Sequence, residues 1–522
     1  MTTRTDEEVS AATPRGQRFR PVWRGRRSRV ALALGVAASG LLAALVMPRG
    51  PVTAAQALTL MAVGFAVGTA AGFALRSRLA LLLAPVAHAA AFELGRLGAG
   101  GPTVDVPTLN TAYGVLAFIL GRGVYALLGL LPMLLGAIYG VKLARWRSGT
   151  GGPAEGRSRV WSDIRWGVTG LVTVGLVALA VGIAQPASTP PILGPDGEPL
   201  PGSVATLERV RLGGQDQWIR LRGARTDNPV LLYLSGGPGQ SDLPYARVLL
   251  GDLEEDFVVV GWDQRGTGKS YGALEPTATL TLGGAVSDTI KLTNYLRERF
   301  GEEKIYLLGE SWGSTLGVLA VQEHPELYHA FIGSGQMVSQ RETDRRIWRD
   351  LLAYAEGRGD WVLYDRVLTF GEPPYRSVFA YGEVMGHYDK LYKPYTPPAA
   401  YLERGSAAKL GFYGVLGSEY TLIEKVNVLR GLLDMFSVMY PQLQEIDFRR
   451  DVPELEVPVY MLDGQAELRA RRELALEWFE GLEAPTKRVY PFENAAHSVA
   501  FEQFGAVYKI LTDTVLPETY SR

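Results

Sequence analysis

Hydrophobic positions follow two rhythms along this chain. Over residues 30–185 apolar residues run almost without interruption; over residues 200–522 they come in short bursts between charged and turn-forming residues. A bilayer core needs about 20 consecutive apolar residues per helical span. Val30–Met47, Ala54–Leu75, Leu79–Gly95, Leu109–Val141 and Trp166–Ala184 are the runs that approach or meet this length. Leu79–Gly95 is the weakest, because Pro85, His88 and Glu93 interrupt it, and Leu109–Val141 is broken by Gly121-Arg122-Gly123. None carries the polar face of a helix on a globular surface. The pattern predicts an N-terminal transmembrane α-helical region of about five spans. Gln185–Ser203, rich in Pro and Gly, predicts a semi-rigid spacer after it.

Beyond the spacer the period changes. Ala205–Arg211 and Gln217–Leu221 alternate around Gly213-Gly214, as in an opening hairpin. Pro229–Leu234, Phe257–Gly261, Lys304–Leu308 and Val457–Leu462 are short continuous apolar runs, expected of strands covered on both faces. Ala285–Phe300 and Ser314–Gln322 read as helices. Strands alternating with helices predict a mostly parallel sheet with covering helices.

Charge then orients the membrane region. Lys and Arg (53) nearly cancel Asp and Glu (54), so nothing global points to a nucleic-acid partner. Their placement is uneven. Arg4, Arg15, Arg18, Arg20, Arg24, Arg26, Arg27 and Arg29 precede the first run, and Lys142, Arg145, Arg147, Arg157, Arg159 and Arg165 precede the last. Cytoplasmic loops are enriched in Lys and Arg, so both segments are expected inside, with four crossings between them. The fifth run then carries the rest of the chain to the outer face. The expected organisation is a basic cytoplasmic tail over 1–29, membrane helices over 30–185, a linker over 186–203 and a soluble domain over 204–522. A cleaved signal peptide ending near Ala54–Ala57 fits less well, since its basic region would be long and further spans follow. The chain has no cysteine, which excludes disulfides, thiolate metal sites and a cysteine nucleophile.

The chemistry begins at Gly309-Glu310-Ser311-Trp312-Gly313, a G-x-S-x-G pentapeptide between a strand and a helix. A serine on so tight a turn needs small flanking residues, and a helix N-terminus favours the negative charge that develops in acyl transfer. Ser311 is the expected nucleophile. It needs a base, and the fold that carries this motif orders Ser, acid, His along the chain. Of five histidines, His88 lies in the membrane region, His324 and His329 just past the helix after Ser311, and His387 too early; His497 remains. For the acid, Asp463 sits at the end of a late strand and Glu467 in the loop beyond. The loop position favours Glu467. The backbone amides of Trp312 and Gly237, with Gly236 as an alternative, are the expected oxyanion donors. Gly268-Lys269-Ser270 is not a phosphate loop, because Asp263 stands where that motif needs glycine. Asp263 and Arg265 are expected to brace the neighbouring loops as a charge pair.

Four ordered motifs carry a resemblance: Ser235-Gly236-Gly237-Pro238-Gly239, Asp263-Gln264-Arg265-Gly266-Thr267-Gly268-Lys269-Ser270, Gly309–Ser314 and Gly464-Gln465-Ala466-Glu467, followed by His497. Over roughly residues 205–520 the chain resembles the proline iminopeptidase branch of the α/β-hydrolases. It departs at Ser235, where the branch has histidine, at Glu310, where it has glycine, and at Glu467, where it has aspartate. The resemblance implies an α/β-hydrolase domain with a helical cap after the Phe331–Gly333 strand, at about 338–450. In that branch cap carboxylates hold the substrate's amino terminus, and Glu342, Glu383, Glu419 and Glu424 are available, with Glu419 foremost. The expected activity is a membrane-anchored serine aminopeptidase releasing N-terminal residues from short peptides. A carboxylic-ester hydrolase and a non-catalytic, hydrolase-like sensor on a membrane bundle are the alternatives. No cofactor or metal is implied; the expected partners are a small peptide or ester and the lipid bilayer.

Overall fold

A computed structural model describes residues 26–148, 157–392, 394–411 and 414–520. The basic tail expected over 1–29 therefore lies, up to residue 25, outside the described residues. The N-terminal part is a layer of helices: α1 (Arg26–Val46), α2 (Ala54–Leu75), α3 (Ala80–Gly95), α4 (Ala112–Phe118), α5 (Leu131–Arg147) and α6 (Arg157–Ala184). Two π turns, Ile119–Gly123 and Ala126–Leu130, carry α4 into α5. Ala54–Leu75, Ala112–Arg147 and Val160–Ala184 are long and apolar enough to cross a membrane. Of the about five spans expected, three reach this length among the described residues; the apolar stretches of α1 and α3, Val30–Val46 and Ala80–Gly95, are shorter. At 1.5 Å per residue such stretches reach only about 25 Å of a hydrocarbon core about 30 Å thick.

Small residues let these helices approach. Gly64, Gly68 and Gly72 repeat every four residues along one side of α2. A Cβ on Gly64 would stand 2.5 Å from the Gly129 carbonyl oxygen, and on Gly68 or Gly72 it would collide with the Met133 or Ala137 carbonyl. Gly136 and Gly140 of α5 meet Phe65 and Thr69 of α2 in the same way. The turn after α1 and the segment after α3 touch the C-terminal domain through Arg49–Glu275 and Thr103–Asp434. Traversing each helix end to end puts Arg76, Arg78, Arg145 and Arg147 at the opposite end of the layer.

The C-terminal domain is built on an eight-stranded sheet in the order β1-β2-β4-β3-β5-β6-β7-β8. β1 (Val204–Leu212) and β2 (Gln215–Gly223) form the expected hairpin, and β2 pairs antiparallel with β4 (Val258–Asp263). From β4 through β3 (Val230–Leu234), β5 (Ile305–Glu310), β6 (Tyr328–Ser334), β7 (Val459–Gly464) and β8 (Lys487–Phe492), every pair is parallel. The central strands are buried throughout, with apolar cores on both faces of the sheet. Helices α7 (Leu243–Leu249), α8 (Leu282–Phe300) and α9 (Trp312–Glu323) cover it. Thr281 caps α8 by accepting the Gly284 amide, and Gly301 ends it in the left-handed region.

Between β6 and β7 the chain leaves the sheet through α10 (Gln340–Arg358), α11 (Trp361–Phe370), α12 (Val378–Met385), α13 (Tyr388–Tyr392), α14 (Ala399–Ala407), α15 (Leu422–Met439) and α16 (Phe448–Asp451). Ile347, Leu351, Val367, Tyr381 and Phe436 give this insertion a core of its own. α17 (Arg469–Gly481) joins β7 to β8, and α18 (Val499–Glu502) follows β8.

α15 joins the two parts of the molecule. Arg430 and Asp434, both buried, lie one turn apart on it. Arg430 donates to the carbonyls of Leu120 and Pro51; Asp434 accepts from the Thr103 amide and hydroxyl and from the Tyr271 hydroxyl, with Arg49 at 3.5 Å.

Candidate active site

Ser311 sits between β5 and α9 with φ +53 and ψ −118. A non-glycine residue at positive φ is strained by roughly 1–3 kcal/mol and persists only where its surroundings enforce it. Two glycines enforce it here. A Cβ on Gly309 would stand 2.5 Å from the Gly313 carbonyl oxygen, and a Cβ on Gly313 would collide with the carbonyl of Leu234 on β3. The Ser311 amide donates to the Ser334 carbonyl at the end of β6 (3.0 Å). Trp312 opens α9, where the first amides have no acceptor within the helix.

His497 lies on the loop between β8 and α18. Its ring covers Gly335, where a Cβ would stand 3.0 Å from both Nδ1 and Cε1. Ser311 and His497 thus contact adjacent residues, Ser334 and Gly335. His497 Nδ1 bonds to Glu467 Oε2. The other carboxylate oxygen of Glu467 accepts from the Leu468 amide (2.6 Å) and the Tyr392 hydroxyl (2.9 Å), with Arg471 at 3.6 Å. Burial pushes the Glu467 carboxyl up, but the charges of His497 and Arg471 and these hydrogen bonds outweigh it and hold the group down at about 2. Asp463, the other acid the sequence allows, is held by Arg472 through two bonds of 2.8 Å. No hydrogen bond or ion pair joins it to His497.

The glycine loop after β3 reaches the nucleophile through Gly236, where a Cβ would lie 3.4 Å from that of Ser311; Gly237 packs against the Gly239 and Gln240 amides. Gln264 ties this loop to the pentapeptide. Its amide nitrogen donates to the Ser235 carbonyl (3.1 Å), and its oxygen accepts from Trp312 Nε1 (2.8 Å).

The expected Asp263–Arg265 charge pair is absent. Asp263 instead accepts from the Lys269 amide (2.7 Å) and the Tyr420 hydroxyl (3.0 Å), and Arg265 donates to Ala273 and Thr279. Each still braces a loop, with a different partner. The four cap carboxylates are likewise engaged, Glu342 with Arg346, Glu383 with Arg366, Glu419 with Arg247 and Glu424 with Lys269.

Some neighbours of the site carry no sequence signal. Tyr392 and Arg471 bear on Glu467, and Glu502 accepts from the Ala496 amide beneath the His497 loop (2.6 Å). Only proximity in the folded chain picks them out. Glu310, inside the pentapeptide, is different: its buried carboxyl is pushed well above its usual value by desolvation and by Asp242.

The chain is similar to several known proteins over part of its length. The family profile described as alpha/beta hydrolase fold matches residues 229–393. The probable aminopeptidase YbaC of Bacillus subtilis (strain 168) is 29% identical over 301 residues, 58% of this chain and 93% of that protein. The proline iminopeptidase of Lactobacillus delbrueckii subsp. bulgaricus is 29% identical over 228 residues, 42% of this chain and 74% of that protein. That of Lactobacillus helveticus (strain DPC 4571) is 28% identical over 166 residues, 31% and 54%. Among solved structures, the proline iminopeptidase of Mycobacterium smegmatis aligns with a TM-score of 0.45 at 17% identity, covering 60% of this chain and 99% of that one.

Proposed function

We propose that this chain, a hydrolase of the α/β fold with aminopeptidase-like and proline iminopeptidase-like homologues, is a membrane-embedded serine peptidase that removes the N-terminal residue of short peptides. The observation that carries the reading is the Glu467–His497 contact beside a serine held at positive φ. His497 takes the Ser311 proton as the hydroxyl oxygen attacks the scissile carbonyl, and Glu467 holds the imidazole and balances the charge it gains. The amides of Trp312 and Gly237 receive the oxyanion. His497 then returns the proton to the departing amine, leaving an acyl-Ser311 ester. Water adds to that ester by the same steps in reverse order and frees the acid. The helical layer lies in the bilayer with Arg76, Arg78, Arg145 and Arg147 on the cytoplasmic side and the hydrolase domain outside. Exposed Leu171, Val174 and Val177 on α6 support lipid contact.

A second reading, a carboxylic-ester hydrolase, is favoured by one observation: each cap carboxylate named above is already ion-paired, so none stands free for a substrate ammonium. Two experiments test these readings. Wild type is expected to label with a fluorophosphonate and Ser311→Ala is not; equal labelling of the two would end the serine-hydrolase proposal. Prolyl and alanyl amides with a free amine are expected to turn over faster than their amine-blocked forms and than simple acyl esters. The reverse order selects the esterase.

A further inference from the structure

The helical layer takes no direct part in the chemistry proposed above, yet α15 connects it to that chemistry in two successive residues. Arg430 faces the helical layer. Its Nε and Nη2 donate to the Leu120 carbonyl at 3.1 and 2.9 Å, and its Nη1 donates to the Pro51 carbonyl at 2.8 Å. Leu120 lies in the π turn Ile119–Gly123 within the Ala112–Arg147 helix, and Pro51 in the turn between α1 and α2.

Gly431, the next residue, faces the hydrolase. A Cβ there would stand 3.1 Å from the carbonyl oxygens of Gly239 and Gly266 and from Thr267 Cα. Gly239 closes the glycine loop that supplies an oxyanion amide, and a Cβ on it would collide with the Gly431 carbonyl. Gly266 and Thr267 belong to the loop of Gln264, the residue that bonds both Ser235 and Trp312. One turn of α15 thus touches the helical layer on one side and both loops flanking the oxyanion position on the other.

We infer that the helical layer sets the position of the oxyanion loops through α15, with Arg430 as the positioning residue. The inference rests on the serine-hydrolase reading. Close backbone packing transmits a displacement of α15 to the loops without compliant side chains between them. Oxyanion donors act over a few tenths of an ångström, so their placement changes the rate of attack rather than the affinity for substrate.

The test uses the full-length protein in lipid nanodiscs, following fluorophosphonate labelling rate, turnover and thermal unfolding. Arg430→Lys keeps the charge, but one ammonium cannot bridge the Leu120 and Pro51 carbonyls as the guanidinium does. Gly431→Ala favours the helix while pressing a methyl group on Gly239 and Gly266. Both variants are expected to label about tenfold more slowly, with kcat lowered to match and KM within about twofold of wild type. Gly431→Ala is expected to stay folded, with a single cooperative unfolding transition. If wild type labels and both folded variants label at its rate, the coupling is overturned while the serine-hydrolase reading stands. A folded, fast Arg430→Lys beside a slow Gly431→Ala removes the helical layer from the mechanism; if Arg430→Lys does not fold, Arg430→Gln, which keeps an amide donor and buries no charge, takes its place with the same expectations. A rise in KM at constant kcat assigns the contact to substrate binding and overturns the proposal. If wild type itself labels no better than Ser311→Ala, the serine-hydrolase reading falls first and takes the inference with it.

Discussion

At Glu467 burial and charge pull in opposite directions. The carboxyl is sealed from water, which favours its neutral form, yet His497, Arg471 and the Leu468 amide keep it ionised down to about 2. A carboxyl depressed below its ordinary 4.5 stabilises the fold above that pH and loses the contribution as pH falls toward the folded value. The unfolding midpoint of wild type is therefore expected to fall steeply between those two values. Glu467→Gln lacks this term, so its deficit relative to wild type should shrink as pH drops through the window. Its kcat at neutral pH is expected to be lower by about 10³ to 10⁴. Asp463→Asn disturbs only a pair with partly exposed Arg472 and is expected to change kcat by less than about fivefold. Equal losses in the two variants would refute the assignment of Glu467. The sequence favours Glu467 by its place in the loop beyond β7, but it names no partner for either carboxylate. Arg472, nine residues after Asp463 and one turn into α17, captures one and leaves the other.

Among the elements, the turn from β5 to α9 and the α2–α5 pair obey the same steric rule. Both bring backbone against backbone at glycine. The rule at Ser311 is legible from five residues, since strand, bend and helix are contiguous. The rule in the helical layer is written as Gly64, Gly68 and Gly72, a four-residue repeat that hydropathy alone does not register. Gly68→Leu is expected to destabilise the layer by about 2–3 kcal/mol, because its side chain would overlap the Met133 carbonyl. Gly170→Ala on α6, where a Cβ meets nothing within 4 Å, serves as the control and is expected to be neutral. Unfolding midpoints in a mild detergent check both, and equal midpoints would remove the α2–α5 contact from the stability of the layer. The π turns at Ile119–Gly123 and Ala126–Leu130 fall at and just after the Gly121-Arg122-Gly123 break in the hydrophobic run. That break does not interrupt the helix; its first turn exposes a carbonyl to Arg430.

For the whole molecule, the junction at α15 bears on whether the two parts can be separated. Arg430 and Asp434 are buried charges whose partners come largely from the helical layer. Breaking a buried pair costs about 3–5 kcal/mol, a large share of a domain's stability. Residues 186–522 expressed alone are therefore expected to aggregate or to unfold well below the full-length protein in circular dichroism. A soluble fragment with an unchanged midpoint would contradict this. Protease added to intact cells is expected to cut the hydrolase domain, and protection there would invert the orientation proposed for the layer.

Sequence by itself determined what depends on neighbours a few residues away: the apolar helices, the strands, the bend at Ser311 and the motif order that leads to His497. Contacts across hundreds of residues were decided by tertiary structure alone. Arg430 meets Pro51 and Leu120, Asp434 meets Thr103, and Lys269 meets Glu424 only in the folded chain, where α15 lies against both parts. Local sterics and periodicity act along the chain and leave a pattern in it. The pairing of buried charges depends on which surfaces the fold brings together, so a lone carboxylate or guanidinium in the sequence carries no trace of its partner.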